Sequence, residues 1–336
     1  MRPETLLCPK PGGLYCPAGD FYVDPVGPVD RAVITHGHAD HARAGHGTVL
    51  ATPETLAIMA TRYGEDFTGL RQSLPYGETV THKGVEITLV PAGHVLGSAQ
   101  VVLRWKGITV VVSGDYKRRS DPTCPPFEPV PCDVFVTEAT FGLPPFRHPP
   151  AENEIARLLK SVTQFPERAH MVGAYALGKA QRIIMLLRAA GWDRTIYVHG
   201  AMERLNALYE SFGVDLGPLA PATGGVKADF AGQIIVCPPS ALQDRWSRRF
   251  PDPVQAFASG WMRVRARARQ RGVELPLVIS AHADWDELTD TLAELSPGEV
   301  WITHGREEAL LRWCELRGQK ARALRLGGYD DDEGEE

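Results

Sequence analysis

The sequence predicts an α/β protein of more than one compact part, and three observations carry that expectation. Up to about residue 143, short apolar runs pair around turn dipeptides. Between about 144 and 271, strand-like and helix-like stretches alternate, which implies a small parallel α/β layer. From 272 onward, apolar strands and amphipathic helices resume. With 336 residues, the chain has ample length for a large buried core in one elaborated domain or two.

Taken in order, Leu14–Cys16 and Phe21–Val23 read as short strands around the turn-rich Pro17-Ala18-Gly19-Asp20, and the second ends at Asp24-Pro25. The run Arg31–Ile34 looks like a buried strand. Thr48–Ala51 follows as another, and Pro53–Tyr63 as a helix with proline in its first turn and Thr52 as its cap. Thr79–His82 with Val85–Val90, and Gln100–Trp105 with Ile108–Val112, are hairpins around Lys83-Gly84 and Lys106-Gly107. Pro144–Pro150 is proline-rich and suits a domain boundary. Beyond it, helices are expected at 152–164, 177–190 and 202–212, and strands at 171–174 and 195–199. The closing part reads as a helix at 284–295, a strand at 299–303, a helix at 307–317 and a strand at 322–326.

The chemistry begins at Thr35-His36-Gly37-His38-Ala39-Asp40-His41, where three imidazoles and a carboxylate follow directly on an apolar strand. Imidazole suits zinc and its first-row neighbours, whereas magnesium and calcium sites are built mainly from oxygen. The spacing suggests two metals, with His36 and His38 converging on one and Asp40 and His41 facing another. His94, in the glycine-flanked Pro91–Ser98, and Asp115, in Ser113-Gly114-Asp115-Tyr116, leave later strands in the same way. A carboxylate such as Asp115 can bridge two cations.

Composition excludes several classes. No run approaches the roughly 20 apolar residues of a membrane helix, and the first 13 residues lack an apolar core of signal-peptide length, so a cytoplasmic location without membrane partners is expected. The six cysteines, at 8, 16, 124, 132, 237 and 314, form no CxxC pair and read as buried or incidental thiols. The net charge of -5 misleads: of 41 acidic residues, six lie in 330–336, which leaves 35 against 36 basic ones. That tail, 329–336, is expected to be disordered. Conversely, eight arginines between Arg245 and Arg271 face only Asp252, either as a phosphate-binding surface or as a solvated helix face.

The HxHxDH stretch resembles the signature of the metallo-β-lactamase superfamily, hydrolases that hold one or two metals at the edge of an αββα sandwich. Pro91–Ser98 with its AGHVLGSA string is similar to one branch, the β-CASP nucleases, which carry a second domain inserted into that sandwich. The branch's further motifs have counterparts in Glu138 within Val134–Gly142, His282 within Ile279–Asp284, and His304 within Ile302–Arg306. The resemblance therefore implies an αββα metallo-β-lactamase sandwich, 1–143 and 272–328, with an inserted α/β β-CASP domain at 144–271. By the same likeness, His36, His38 and His94 bind one divalent ion and Asp40, His41 and His304 the other, with Asp115 bridging. Two cations would activate a shared water for attack at phosphorus. His282, held by Glu138, would protonate the departing oxygen. Asp24 matches a residue that supports the ligand loop, although Asp before Pro is also a common turn opener. Zinc is favoured by the ligands, and manganese could support activity.

The stretch Ser259–Arg271, with the ISAHADW that follows, resembles most the bacterial DNA ligase-associated DNA exonucleases. That likeness implies a DNA exonuclease of repair, digesting single strands from 5′ to 3′, in association with an ATP-dependent DNA ligase and a helicase. Arg263, Arg265, Lys179 and Ser280 are then the expected nucleic-acid contacts. Lys179 lies in Tyr175–Gln181, whose helix start could receive phosphate or be a plain helix start. The alternative is an RNA-processing β-CASP ribonuclease, because His304 is the residue found in RNA-directed members.

Overall fold

The computed structural model describes residues 2–324 and 326; the acidic tail expected to be disordered lies outside the described residues. The chain divides into two compact units. One joins the chain up to Arg147 with the segment from His282 onward, and the other is His148–Ala281.

The first unit begins with the strands β1 (Cys8–Lys10), β2 (Gly13–Cys16), β3 (Phe21–Val23), β4 (Arg31–Val33) and β5 (His46–Ala51), the helix α1 (Pro53–Tyr63) and the strand β6 (Thr68–Ser73). Then come β7 (Thr79–His82), β8 (Val85–Pro91), β9 (Ala99–Trp105), β10 (Ile108–Val112) and β11 (Val134–Ala139). The second unit contributes α2 (Ala151–Gln164), β12 (His170–Gly173), α3 (Lys179–Ala189), β13 (Ile196–Val198), α4 (Gly200–Ser211), β14 (Leu219–Pro221), β15 (Ile234–Cys237), β16 (Val254–Ala258), α5 (Arg265–Gln270) and β17 (Leu275–Leu277). The first unit closes with α6 (Trp285–Leu295), β18 (Glu299–Gly305), α7 (Glu307–Leu316) and β19 (Lys320–Ala323).

Two sheets form the first unit, one in the order β1-β2-β3-β4-β5-β6, the other β19-β18-β11-β10-β9-β8-β7. Side chains on a strand alternate between its faces, and β9 shows the consequence. Val101 and Leu103 point into the core between the sheets, beside Leu14, Phe21 and Val23 of the first sheet and the fully buried Trp301 of the second. Val102 points the other way, joining Val111, Phe135 and Val300 under Trp285, Leu288 and Leu292 of α6 and Leu310 and Cys314 of α7. On the opposite outer face, Leu56 and Met59 of α1 cover Ala32, Val49 and Ala51. The layers are therefore α, β, β, α, as the resemblance implies.

Both hairpin turns behave as their dipeptides require. Lys83 and Gly84, and likewise Lys106 and Gly107, have positive φ at both positions, the twist that a two-residue turn needs to match its strands. At the start of α1, the Thr52 hydroxyl oxygen accepts from Thr55 N–H at 3.2 Å, confirming the expected cap. It also donates to the Gly97 carbonyl at 2.7 Å, tying the helix to the loop that carries His94.

The second unit holds one all-parallel sheet, β14-β13-β15-β12-β16-β17, with Met171, Ile235, Cys237 and Phe257 in its core beside Phe230 and Phe250. Its boundaries fall at 147/148 and 281/282, whereas the sequence predicts 143/144 and 271/272. The later second boundary has a physical cause. β17 pairs with β16 from Ala256↔Leu275 to Ala258↔Leu277, so residues after 271 complete this unit's sheet. Helix α3 begins two residues after the expected Leu177, because Gly178 at φ +82 precedes it. Among the described residues, no helix is long and apolar enough to cross a membrane.

Candidate active site

The first unit gathers the ligand candidates at the ends of its strands. His36 follows β4, His94 follows β8, Asp115 follows β10, Glu138 lies near the end of β11 and His304 near the end of β18. Glycines immediately before two of them make the sharp exit from the sheet. Gly93 has φ +74 and a Cβ there would stand 2.4 Å from the Lys117 carbonyl oxygen; Gly114 has φ +57 and a Cβ would stand 2.7 Å from Thr35 Cβ. A side chain at either position would be strained in conformation and would force its neighbours to move. His304 is aimed differently. Thr137 pairs with Ile302 and Ala139 with Gly305, so β18 spends three steps where β11 spends two, and the bulge carries Thr303-His304.

Three imidazole nitrogens converge, His38 Nδ1 lying 3.1 Å from His36 Nε2 and 3.0 Å from His94 Nε2. Asp115 faces two groups at once. Its Oδ2 is 3.4 Å from His36 Nε2, 3.6 Å from His41 Nε2 and 3.8 Å from His94 Nε2, while Oδ1 is 3.2 Å from His304 Nε2. Among the described residues, donor atoms within 4.8 Å of one another fall into three sets: His36, His38, His94 and Asp115; His41, Asp115 and His304; Asp115, Glu138 and His282. Asp40 lies outside these sets, with its Oδ2 3.6 Å from His41 Nε2 and its carboxylate partly exposed.

A surrounding layer fixes which ring nitrogen faces inward. The buried Asp24, held at φ +45, accepts from the Thr35 N–H at 2.8 Å and the Thr35 hydroxyl at 2.5 Å, and its Oδ2 lies 2.8 Å from His41 Nδ1. Thr35 Oγ1 in turn sits 3.0 Å from His36 Nδ1, so Asp24 orients one imidazole directly and another through Thr35. The same device recurs on β18, where Thr303 donates to the Thr137 carbonyl at 3.2 Å and its oxygen is 2.9 Å from His304 Nδ1. On the far side of Asp115, His282 Nδ1 is 3.1 Å from Glu138 Oε2, and Glu138 Oε1 also accepts from Tyr116 N–H at 2.9 Å.

The electrostatics fit a cation-holding pocket. Burial and neighbouring imidazoles push the His36 pKa well below the usual range, and burial takes that of His38 down to about 4, leaving neutral rings with lone pairs to donate. At His41, burial acts downward but Asp40, Asp115 and Asp24 overcome it and raise the imidazole to about 10. Three acids thus demand positive charge at this point, which a divalent ion would supply in place of the proton. Burial would raise Asp115, yet His41, His282 and His304 hold it well below the carboxylate range. Among the described residues, no cysteine belongs to any of the donor sets.

The family profile of the metallo-β-lactamase superfamily matches residues 23–169, a span containing Asp24 and all the ligand candidates except His304. The match identifies a metallo-β-lactamase domain within the chain. Relatives point to the β-CASP branch of this metallo-β-lactamase group. A probable DNA ligase of Opitutus terrae is 27% identical over 320 residues, 93% of this chain but 30% of that protein. An endoribonuclease, ysh1 of Aspergillus fumigatus, is 30% identical over 54% of this chain and 24% of its own length. Ribonuclease TTHA0252 of Thermus thermophilus is 27% identical, covering 89% of this chain and 87% of its own. The chain thus spans less than a third of the first two relatives. A protein of unknown function from Enterococcus faecalis V583 shares the fold, with a TM-score of 0.54 and 15% identity over 89% of this chain and 80% of that one.

The nucleic-acid candidates all lie in the second unit. Arg263 and Arg265 are exposed, at the end of a 3-10 turn and the start of α5, whereas Lys179 and Ser280 are buried, each about 4% exposed. In Tyr175–Gln181, the Gln181 side chain accepts from Gly178 N–H at 2.8 Å and donates to the Ala176 carbonyl and to Asn206, closing the turn before α3. The sequence does not single out Thr35, Thr303, Lys117 or Glu287. Two ligand histidines directly follow a threonine, but Thr81-His82 is a third such pair in an ordinary hairpin, so the dipeptide alone is no guide.

Proposed function

We propose that this chain is a metal-dependent phosphodiesterase, and specifically a DNA exonuclease of repair that shortens single strands from the 5′ end. The observation that carries the hydrolase reading is the position of Asp115, with one oxygen toward His36 and His94 and the other toward His304, and His282 beside it on Glu138. His36, His38 and His94 would hold one ion and Asp40, His41 and His304 the second, with Asp115 between them. Bound divalent ions, zinc by ligand type with manganese as an alternative, would supply Lewis acidity and an activated water for attack at phosphorus.

The remaining steps belong to this chain's own groups. Glu138 engages His282 Nδ1, which leaves Nε2 as the ring nitrogen that donates a proton to the departing alkoxide. A neighbouring carboxylate favours the charged imidazole, the state an acid needs. Arg263, Arg265, Lys179 and Ser280 would contact the strand backbone, giving binding without sequence preference.

The DNA reading is supported by similarity to the probable ligase of Opitutus across nearly the whole chain, which also motivates functional association with an ATP-dependent ligase and a helicase. A second reading, an RNA-processing nuclease, is favoured by similarity to the Thermus ribonuclease, 87% of whose length the chain covers, and by His304. A time course with single-stranded DNA and RNA of one sequence, labelled at either end, separates them. Stepwise shortening of DNA with RNA left intact supports the repair exonuclease and reads its direction. RNA cleavage at an equal or greater rate overturns it.

A further inference from the structure

Lys117 lies two residues after Asp115, and its side chain is only 3% exposed. Its ammonium donates to Glu287 Oε2 at 2.7 Å and to the main-chain carbonyl of His282 at 3.0 Å. Glu287 is filled by further donors. Its Oε1 accepts from the backbone N–H groups of Arg118, at 3.0 Å, and Arg119, at 2.7 Å, and its Oε2 accepts from Asp284 N–H at 3.0 Å. Asp284, fully buried, returns the bond by accepting from Glu287 N–H at 3.0 Å, and its other oxygen accepts from the Arg119 guanidinium at 2.9 Å. Finally, Ala283 N–H donates to the Tyr116 carbonyl at 2.6 Å, while Tyr116 N–H donates to Glu138. The loop that presents Asp115 and the loop that presents His282 are thus joined by a buried, charge-assisted network.

A buried ion pair is weak evidence for stability, since apolar residues of similar volume often serve as well. Geometry is what this one supplies. Asp115 and His282 come from segments 167 positions apart, and the bond from Lys117 reaches the backbone of the acid itself. We propose that Lys117 and Glu287 are positioning residues that hold His282 at the distance from Asp115 needed to protonate the leaving oxygen. The proposal rests on the reading of His282 as the acid.

The test compares two leaving groups. An oligonucleotide releases an alkoxide that needs a proton, whereas thymidine 5′-(p-nitrophenyl phosphate) releases a nitrophenolate that leaves without one. Full-length wild type, Lys117→Met, the charge-free double variant Lys117→Met/Glu287→Met and the reference His282→Ala are each loaded with metal, and bound metal is measured. Displacement of a catalytic group by about 1 Å can cost on the order of 10²-fold, so both clamp variants should lose about that much kcat on the oligonucleotide. Metal content and KM should stay near wild type, and the loss on the nitrophenyl ester should be at least about tenfold smaller. The double variant leaves no uncompensated buried charge from the pair and keeps the test available should Lys117→Met fail to fold. Equal losses on both substrates, or wild-type oligonucleotide turnover in the double variant, overturn the proposal. If His282→Ala itself loses equally on both, the acid reading falls and the proposal with it; if His282→Ala discriminates and the clamp variants do not, the clamp alone is wrong.

Discussion

Glu138 and His282 stand 144 residues apart in the chain, yet Oε2 of one lies 3.1 Å from Nδ1 of the other. The pair flanks Asp115, whose Oδ2 is 3.8 Å from the same ring nitrogen. Removing the acid should therefore separate chemistry from metal binding. His282→Ala is expected to keep the wild-type metal content and to lower kcat on a nucleic-acid substrate by about 10²- to 10⁴-fold. Glu138→Gln should fall in the same direction by less. Metal analysis beside single-turnover rates checks this, and loss of metal from His282→Ala would contradict the assignment.

Asp24 orients two imidazoles without belonging to any donor set, directly at His41 and through Thr35 at His36. Asp24→Asn removes the charge and leaves the shape. Metal affinity, followed by competition with a chromogenic chelator, should weaken by about 10- to 100-fold. An unchanged affinity would reduce Asp24 to a turn residue.

Glu287 gives the folded state an acid limit. Burial acts to raise its pKa, but Lys117 and the N–H groups of Asp284 and Arg119 bring it from the ordinary 4.5 to about 2. A carboxyl depressed on folding contributes stability that is fully present above the unfolded value and is lost as pH falls through the folded one. Here the window runs from about pH 4.5 down to about 2, and the contribution at neutral pH is about 3 kcal/mol. Denaturant titrations across that window should be steeper in pH for wild type than for Glu287→Gln, and equal slopes would contradict the ion pair's role.

Arg263 and Arg265 are exposed on the second unit, one at the end of a 3-10 turn and the other at the start of α5. If each neutralises one phosphate, alanine at either position should weaken single-strand binding uniformly across sequences. The slope of log affinity against log salt should then drop by about 0.7 per arginine. Binding isotherms at several salt concentrations decide; an unchanged slope assigns these arginines to a solvated surface.

Much of this architecture is legible in the amino-acid order alone, and the reasons are local. His36, His38, Asp40 and His41 lie within six residues, and His94, Asp115 and His304 each lie at the end of an apolar strand, so residue type and position coincide. What escapes the sequence is set by distant partners. β15 is buried on both faces of a parallel sheet and shows no alternation, while β6 is a polar edge strand with Leu70 exposed, so neither has a strand's usual period. The second unit ends later than its sequence implies because the pairing of β17 is a property of the sheet, not of Leu275–Leu277. Lys117 and Glu287, 170 positions apart, read alone as ordinary surface charges. Only the fold buries them together.

The proposed mechanism needs Asp115 as the carboxylate shared by two metal positions. Elemental analysis of the protein loaded with zinc or manganese, wild type beside Asp115→Ala, with nuclease activity from the same samples, tests that directly. Two ions per wild-type chain, with both depleted and activity lost in Asp115→Ala, is the predicted result. A variant that retains two ions and full activity would contradict it.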